Sequence, residues 1–341
     1  MTRLRLAVIG VGHLGKEHAR ILSGLADVDL VGVADVNEAQ ARSVAAKLHV
    51  QAYGDYRLLP HKIDAACVVV PTSLHEQVAA DLLRRGIPAL VEKPLASTRA
   101  GAETLVELSH KHNTILQVGH IERFNPAFEE AVRRNLRPWF LRAERLGPFS
   151  GRSSDTGVVL DLMIHDLDLI LTLVGRPVES VEARGVRVFG RHEDVVQARI
   201  RFAGGSVAEV LASRAHPQPA RQMHAWSDEG YAHLDFGQRR ATFVAPSVDV
   251  MERGLDVSRL EPEARARLRD DLFTRHLPLT TVDGQAQDQL TAELRHFVDC
   301  VRTGKTPRVT GENGLESLAL AERILDQIHC HSWRRDLRQA A

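Results

Sequence analysis

An apolar run, Leu6-Ala7-Val8-Ile9, leads directly into Gly10-Val11-Gly12-His13-Leu14-Gly15, and a helical pattern begins at Lys16. A GxGxxG set between a strand and a helix admits few folds. Gly10 permits the tight turn, Gly12 lets the backbone approach a pyrophosphate, and Gly15 lets the helix close on the strand. The helix N-terminus carries unsatisfied amides and about half a positive charge, so it stabilises an anion without a basic side chain. The glycines alone are weak evidence; the second strand adds weight. That strand, residues 30–34, is apolar and ends in Asp35, about 20 residues on, where a carboxylate accepts the ribose hydroxyls and repels a 2′-phosphate. The one basic residue soon after it, Arg42, falls inside the next helix. The cofactor expected is NAD rather than NADP.

Strand patterns at 4–9, 30–34, 65–70, 89–91 and 114–118 alternate with helices, as in a doubly wound parallel sheet of the α/β class. Ligands of such sheets bind outside the carboxyl ends of the strands. Those ends carry Pro71, Thr72 and His75, then Glu92 and Lys93, then Gly119 and His120. His75 opens a helix there, and either a contact with the nicotinamide ribose or a capping role suits it. Around Ile121 the grammar changes. A helix at 127–136 and an apolar helix at 159–174 precede strands at 178–188, 197–202 and 207–213, with hairpins through Gly204-Gly205 and Asp228-Glu229-Gly230. This predicts a Rossmann domain over 1–120 and an α+β domain over 121–341 with an open, mostly antiparallel sheet. Helices expected at 290–302 and 314–327 are amphipathic and either structural or packed back on the first domain. Residues 250–288 read as polar and irregular with one helical stretch. The open face of the sheet suits a homodimer or homotetramer.

The composition agrees with an enzyme of two domains. At 341 residues each half can bury its own core. Equal numbers of acidic and basic residues, 44 each, argue against nucleic acid or an anionic membrane as partner. No apolar run reaches the roughly 18 residues of a membrane span, and the chain opens without a signal-peptide pattern, so a cytoplasmic location is expected. Cys67, Cys300 and Cys330 are too scattered for a disulfide framework or a zinc site, and no metal is expected.

The second chemical signal lies in the apolar helix, where Asp161 and His165 stand at i and i+4 and Asp168 three residues further. On a helix the first two share a face about 6 Å apart. A carboxylate beside an imidazole can fix its tautomer and stabilise its charged form, which makes a base tuned to neutral pH or a buried structural hydrogen bond. Lys93 adds independent weight. Only six of the 44 basic residues are lysine, and a lysine, unlike arginine, can lose its proton.

Together these segments resemble the glucose-fructose oxidoreductase, inositol dehydrogenase and MocA (Gfo/Idh/MocA) family. The resemblance runs over almost the whole chain: GVGHLG, the acid after the second strand, VVVPTSLH, the EKP triplet at 92–94, GHIERFNP at 119–126, DLMIHDLD at 161–168 and GKTPRVTGENGLESL near the end. It implies that Lys93, Asp161 and His165 form the catalytic group, that the Lys93-Pro94 bond is cis, and that the open sheet makes the subunit contact. The cofactor contacts expected are Gly10, Gly12, His13, Leu14, Gly15, Asp35, Pro71, Thr72, His75, Glu92 and Lys93. One departure is Met163, where the family often has glycine, and it is expected to alter how closely substrate approaches the helix.

The expected reaction is hydride transfer from a secondary alcohol to NAD, with His165 as base, Lys93 polarising the oxygen and Asp161 holding the pair. GHIERFNP with the HDLD ending is similar to UDP-N-acetylglucosamine 3-dehydrogenases, which implies the C3 hydroxyl of a UDP-N-acetylamino sugar. Substrate contacts would then come from Lys93, Arg123, Asn125, Asp161 and His165, followed by Arg145 and Arg152. An inositol, another polyol or a free aldose is the alternative substrate. A non-catalytic NAD-binding regulator and an NAD-assisted glycosidase are the alternatives of another class.

Overall fold

The computed structural model describes residues 2–60, 62–149, 151, 156–284 and 288–332. The chain divides into two compact units, residues 1–124 with 287–322 and residues 125–286 with 323–341. The first opens with β1 (Leu4–Ile9), α1 (Gly15–Ser23), β2 (Val28–Ala34), α2 (Glu38–Leu48), β3 (Gln51–Tyr53) and β4 (Ala65–Val68). It continues with α3 (His75–Arg84), β5 (Ala89–Glu92), α4 (Arg99–Lys111) and β6 (Leu116–Gly119). All six strands are parallel, in the order β3-β2-β1-β4-β5-β6. The order reverses between β1 and β4, so the loops after these two strands face a topological switch point. Leu6, Ala7, Val8 and Cys67 on these central strands are fully buried. Strands covered on both faces have no polar side to show, which is why they read as unbroken apolar runs.

The second unit contains α5 (Pro126–Arg133), β7 (Phe140–Leu146), α6 (Ile164–Val174), β8 (Val178–Arg187), β9 (Val195–Phe202), β10 (Val207–Ser213), β11 (Ala220–Ser227), β12 (Gly230–Asp235) and β13 (Arg240–Val244). After these come α7 (Val248–Arg253), α8 (Pro262–Asp271) and β14 (Leu279–Asp283), then α9 (Gln289–Thr303), α10 (Gly311–Gln327) and β15 (His329–Ser332). Its nine-stranded sheet runs β14-β13-β12-β11-β7-β10-β9-β8-β15. The pairs β7 with β10 and β8 with β15 are parallel and the rest antiparallel. Burial alternates along β9, with Val196, Ala198, Ile200 and Phe202 inward and fully buried. α5 and α6 pack on the sheet. The half-exposed side chains of β11 and β12 form an aromatic group in which His224 stacks on His233 at 4.5 Å and its Nδ1 lies 2.7 Å from the Tyr231 hydroxyl.

α9 belongs to the first unit. Its Leu294, Phe297 and Val298 share a buried cluster with Leu22, Val28 and Leu30. Arg302 and Arg295 both bind Asp27, before β2, and hold its carboxyl down to about 2.

Several boundaries differ from the sequence reading. β14 lies within the stretch expected to be irregular; it is a sheet edge with four of five residues exposed, so no alternation marks it. β4 ends at Val68 rather than 70, and α5 ends at Arg133, followed by Asn135 at φ 54°. The helix expected over 159–174 begins with a π-helical turn, Val159–Met163.

Within the second unit Arg145 and Asp166 form a buried bidentate pair, Nε to Oδ2 at 3.0 Å and Nη2 to Oδ1 at 2.9 Å. Removing one partner strands a buried charge, so Asp166→Ala should lower unfolding free energy by about 3–5 kcal/mol. Denaturant titration checks this, and the double replacement Arg145→Met with Asp166→Leu should recover most of the loss.

Candidate active site

In the first unit the glycine turn is as tight as its residues require. Gly10 has φ +87°, and a Cβ there would lie 2.4 Å from the carbonyl oxygen of Val69. At Gly15 it would lie 1.9 Å from the carbonyl oxygen of Gly10, whereas at Gly12 it would meet nothing within 4 Å. Gly10 and Gly15 thus serve the packing of the protein, and Gly12 leaves space above the backbone. No side chain caps α1, whose N-cap is Leu14. Asp35 is fixed behind the turn: Oδ2 accepts the Val11 amide at 2.8 Å and Oδ1 the Asn37 amide at 2.9 Å. Gln40 on α2 donates to the Val11 carbonyl at 2.9 Å.

A cavity of about 630 Å³ extends over these groups. Of the expected cofactor contacts, Gly10, Gly12, Asp35 and Pro71 line it. Arg57, which the sequence reading passed over, lines it too and is held by Asp55 in a paired contact, Nη2 to Oδ2 at 2.6 Å. Arg42 is turned to Glu38 on its own helix at 2.7 Å. An uncapped helix start, open space over Gly12 and a carboxylate fixed at the end of β2 fit a dinucleotide with unphosphorylated ribose.

The other expected contacts are divided between surface and interior. His13 and Leu14 are exposed on the turn, and Thr72 begins a short 3₁₀ turn before α3. His75 is buried, with Nδ1 2.8 Å from the Pro94 carbonyl and Nε2 2.9 Å from the Val70 carbonyl. Burial pulls its pKa below the ordinary histidine value. A neutral imidazole has one N–H, so one of these carbonyls accepts it, and the ring sits between the residues after β4 and the turn after β5. Glu92 is also buried: Oε1 lies 3.1 Å from His18 Nε2, and Oε2 accepts the Lys93 amide at 3.2 Å. Lys93 is half-buried and precedes a cis bond to Pro94. Arg123 is buried, and its carbonyl accepts Arg308 Nη1 at 3.1 Å.

The second unit holds Asp161 and His165, both half-buried. Asp161 lies in the π-helical turn and His165 in the first turn of α6. Such turns displace a helix's register at one point and recur at functional sites. This one is anchored from outside the helix. The Val158 amide donates to the Glu193 carbonyl at 3.1 Å, the Val159 amide to Glu193 Oε1 at 3.2 Å, and Arg214 Nη1 to the Thr156 carbonyl at 2.9 Å. Met163 is fully buried, so its side chain packs in the core. Asp168 is buried as well. Asn125, expected to grip substrate, is fully buried; its Oδ1 caps α5 at the Ala127 amide and its Nδ2 donates to the Phe236 carbonyl. Arg145 is spent on Asp166, and Arg152 lies outside the described residues.

Residues 4–120 match the oxidoreductase family with an NAD-binding Rossmann fold, and residues 119–233 match the Gfo/Idh/MocA C-terminal domain. The chain is 33% identical over 325 residues to the UDP-N-acetylglucosamine 3-dehydrogenase of Acidithiobacillus ferrooxidans, covering 95% of its own length and 97% of the relative's. It belongs to the Gfo/Idh/MocA oxidoreductase family. A solved structure of that A. ferrooxidans enzyme superposes with TM-score 0.84 at 32% identity, over 96% of this chain and 98% of that one. The NAD-dependent scyllo-inositol 2-dehydrogenase of Bacillus subtilis is 28% identical over 90% of this chain and 89% of its own. The Gfo/Idh/MocA chain described here is therefore an NAD-dependent dehydrogenase acting on CH–OH groups, and the non-catalytic reading gives way. Among the described residues no helix is long and apolar enough to cross a membrane, and no three His, Cys, Asp or Glu gather as a metal site.

Two substitutions separate packing from binding at the glycine turn. Gly12→Ala should leave the melting temperature within about 2 °C and weaken NAD at least tenfold, whereas Gly15→Ala should lower stability itself. Calorimetry with and without NAD checks both. Asp35→Ser should weaken NAD far more than NADP in binding titrations; equal losses would remove the ribose role of Asp35.

Proposed function

We propose that this dehydrogenase oxidises the C3 hydroxyl of a UDP-N-acetylamino sugar. The observation that carries the reading is the similarity to the UDP-N-acetylglucosamine 3-dehydrogenase along nearly the full length of both chains. Bound NAD supplies the hydride acceptor. In this reading His165 takes the hydroxyl proton as the carbinol C–H bond breaks, and the Lys93 ammonium stabilises charge developing on the same oxygen. Asp161 orients the imidazole and favours its charged form. In the reverse direction the same groups return the proton. Arg123 is the remaining cation of the GHIERFNP segment proposed to meet the substrate. An inositol or another polyol is the second reading, favoured by the B. subtilis relative.

The proposal extends to assembly and location. The open face of the nine-stranded sheet, with Trp226 40% exposed beside His224 and Tyr231, is proposed as the contact of a homodimer or homotetramer. With a UDP-sugar and NAD as its substrates, the reaction is proposed to run in the cytoplasm. Light scattering on Trp226→Glu should find a smaller assembly than wild type; an unchanged mass would remove this face from the contact.

The deciding assay offers NAD with UDP-N-acetylglucosamine, inositols and free aldoses singly and follows NADH absorbance. NADH with the UDP-sugar is expected. NADH with a polyol or aldose alone would overturn the substrate, and sugar release without NADH would favour the glycosidase reading. Lys93→Met should reduce turnover at least a thousandfold with NAD affinity within about threefold, and unimpaired turnover would remove Lys93 from the mechanism.

A further inference from the structure

Beneath the Lys93 turn lies a group of buried polar residues from four elements that the reaction outlined above does not use. Glu293 on α9 is fully buried, and neither of its carboxylate oxygens has a hydrogen-bond partner. Gln117 on β6, also fully buried, donates to the Glu293 carbonyl at 3.4 Å and leaves its own Oε1 unmatched. His18 on α1 is fully buried; Nε2 meets Glu92 and Nδ1 has no partner. Glu92 ends β5 pressed against Gly119, where a Cβ would lie 2.9 Å from its carboxyl carbon. Unmatched buried atoms on three neighbouring side chains are uncommon in native proteins and call for a function.

Two buried carboxyls that feel each other's charge do not both ionise. Glu92 has the partners that stabilise a charge: His18, the Lys93 amide and the nearby Lys93 charge hold its carboxyl below the ordinary range in spite of burial. Glu293 has none, and burial together with the charge on Glu92 pushes its carboxyl well above that range. The Cys67 thiol on β4, pushed up by burial, also feels the charge of Glu293, and the turn that carries Glu122 and Arg123 packs on α9.

We propose that Glu293 is a positioning residue for Lys93: as the proton-bearing member of the pair it leaves one negative charge on Glu92, whose carboxylate holds the Lys93 amide. Its proton also provides a donor for the unmatched Nδ1 of His18 or Oε1 of Gln117, directly or through an internal water. When Glu293 ionises, the second charge competes for His18 and loosens the carboxylate that holds the Lys93 amide. The geometry requires nothing of the second unit, since every residue involved belongs to the first.

The six lysines make the test selective, because protein labelled with ¹⁵N-lysine gives six backbone amide signals, and Lys93→Met identifies the one that matters. In the NAD-bound protein the Lys93 amide should shift as pH rises from 5 to 9, and Glu293→Gln, a permanently uncharged analogue, should remove most of that shift. The difference between the two proteins isolates Glu293. The same pH response in both would overturn the proposal. Glu293→Leu, which lacks a donor, should speed hydrogen exchange at Lys93 and lower kcat at least tenfold with KM for NAD within about twofold, and Gln should restore most of both. Leu and Gln behaving alike would also overturn it. The effect on kcat rests on Lys93 being the reacting lysine; active Lys93→Met would defeat that reading while leaving the amide result standing, and inactive Lys93→Met with an amide indifferent to residue 293 would defeat only this one.

Discussion

A parallel sheet whose central strands are apolar on both faces must be covered on both faces, and the rest of the first unit follows from that demand. Four of the five crossovers place a helix on the sheet, and the reversal of strand order between β1 and β4 leaves their carboxyl ends open to a ligand. α1 to α4 come from the crossovers themselves, but cover is completed by α9, from the far end of the chain. Its seat is specified by apolar contacts with Leu22 and Leu30 and by two arginines on Asp27. A surface with no water to satisfy it thus recruits residues from nearly 270 positions away.

Polar groups inside such cores are costly unless matched, so their arrangement carries information. Arg145 with Asp166 and Arg214 with Asp194 are matched, and they stiffen the second unit around the segment that bears Asp161 and His165. The Glu92, His18 and Glu293 group in the first unit is matched only in part, on the side that meets Lys93. One arrangement holds geometry and the other retains a proton that can be lost.

The glycine turn, Asp35, five of the six parallel strands, all but β3, and the helices of the first unit were legible in the sequence because each is a local pattern: periodicity, a breaker, or a motif whose spacing is set by one β-α-β unit. The edge strand β14 was not, since an exposed edge has no buried face to produce alternation. The same limit applies to side-chain direction. Asn125 and His75 stand in segments rich in chemistry, yet both are buried, Asn125 bonded to the Phe236 carbonyl and the His75 ring set between the carbonyls of Pro94 and Val70. Arg57 enters the cofactor cavity from a turn after a three-residue strand that carries no motif.

By itself the sequence determined the class of fold, the dinucleotide cavity and the identity of the residues capable of proton transfer, because these depend on residue types at short spacing. Tertiary structure alone decided which of those residues are free to act. The π-helical turn at Val159–Met163 is anchored by Glu193 and Arg214 from outside the helix, and Glu293 feels the charge of Glu92 from some two hundred positions along the chain. Hydrogen bonds and charges act through space, and only folding sets those distances.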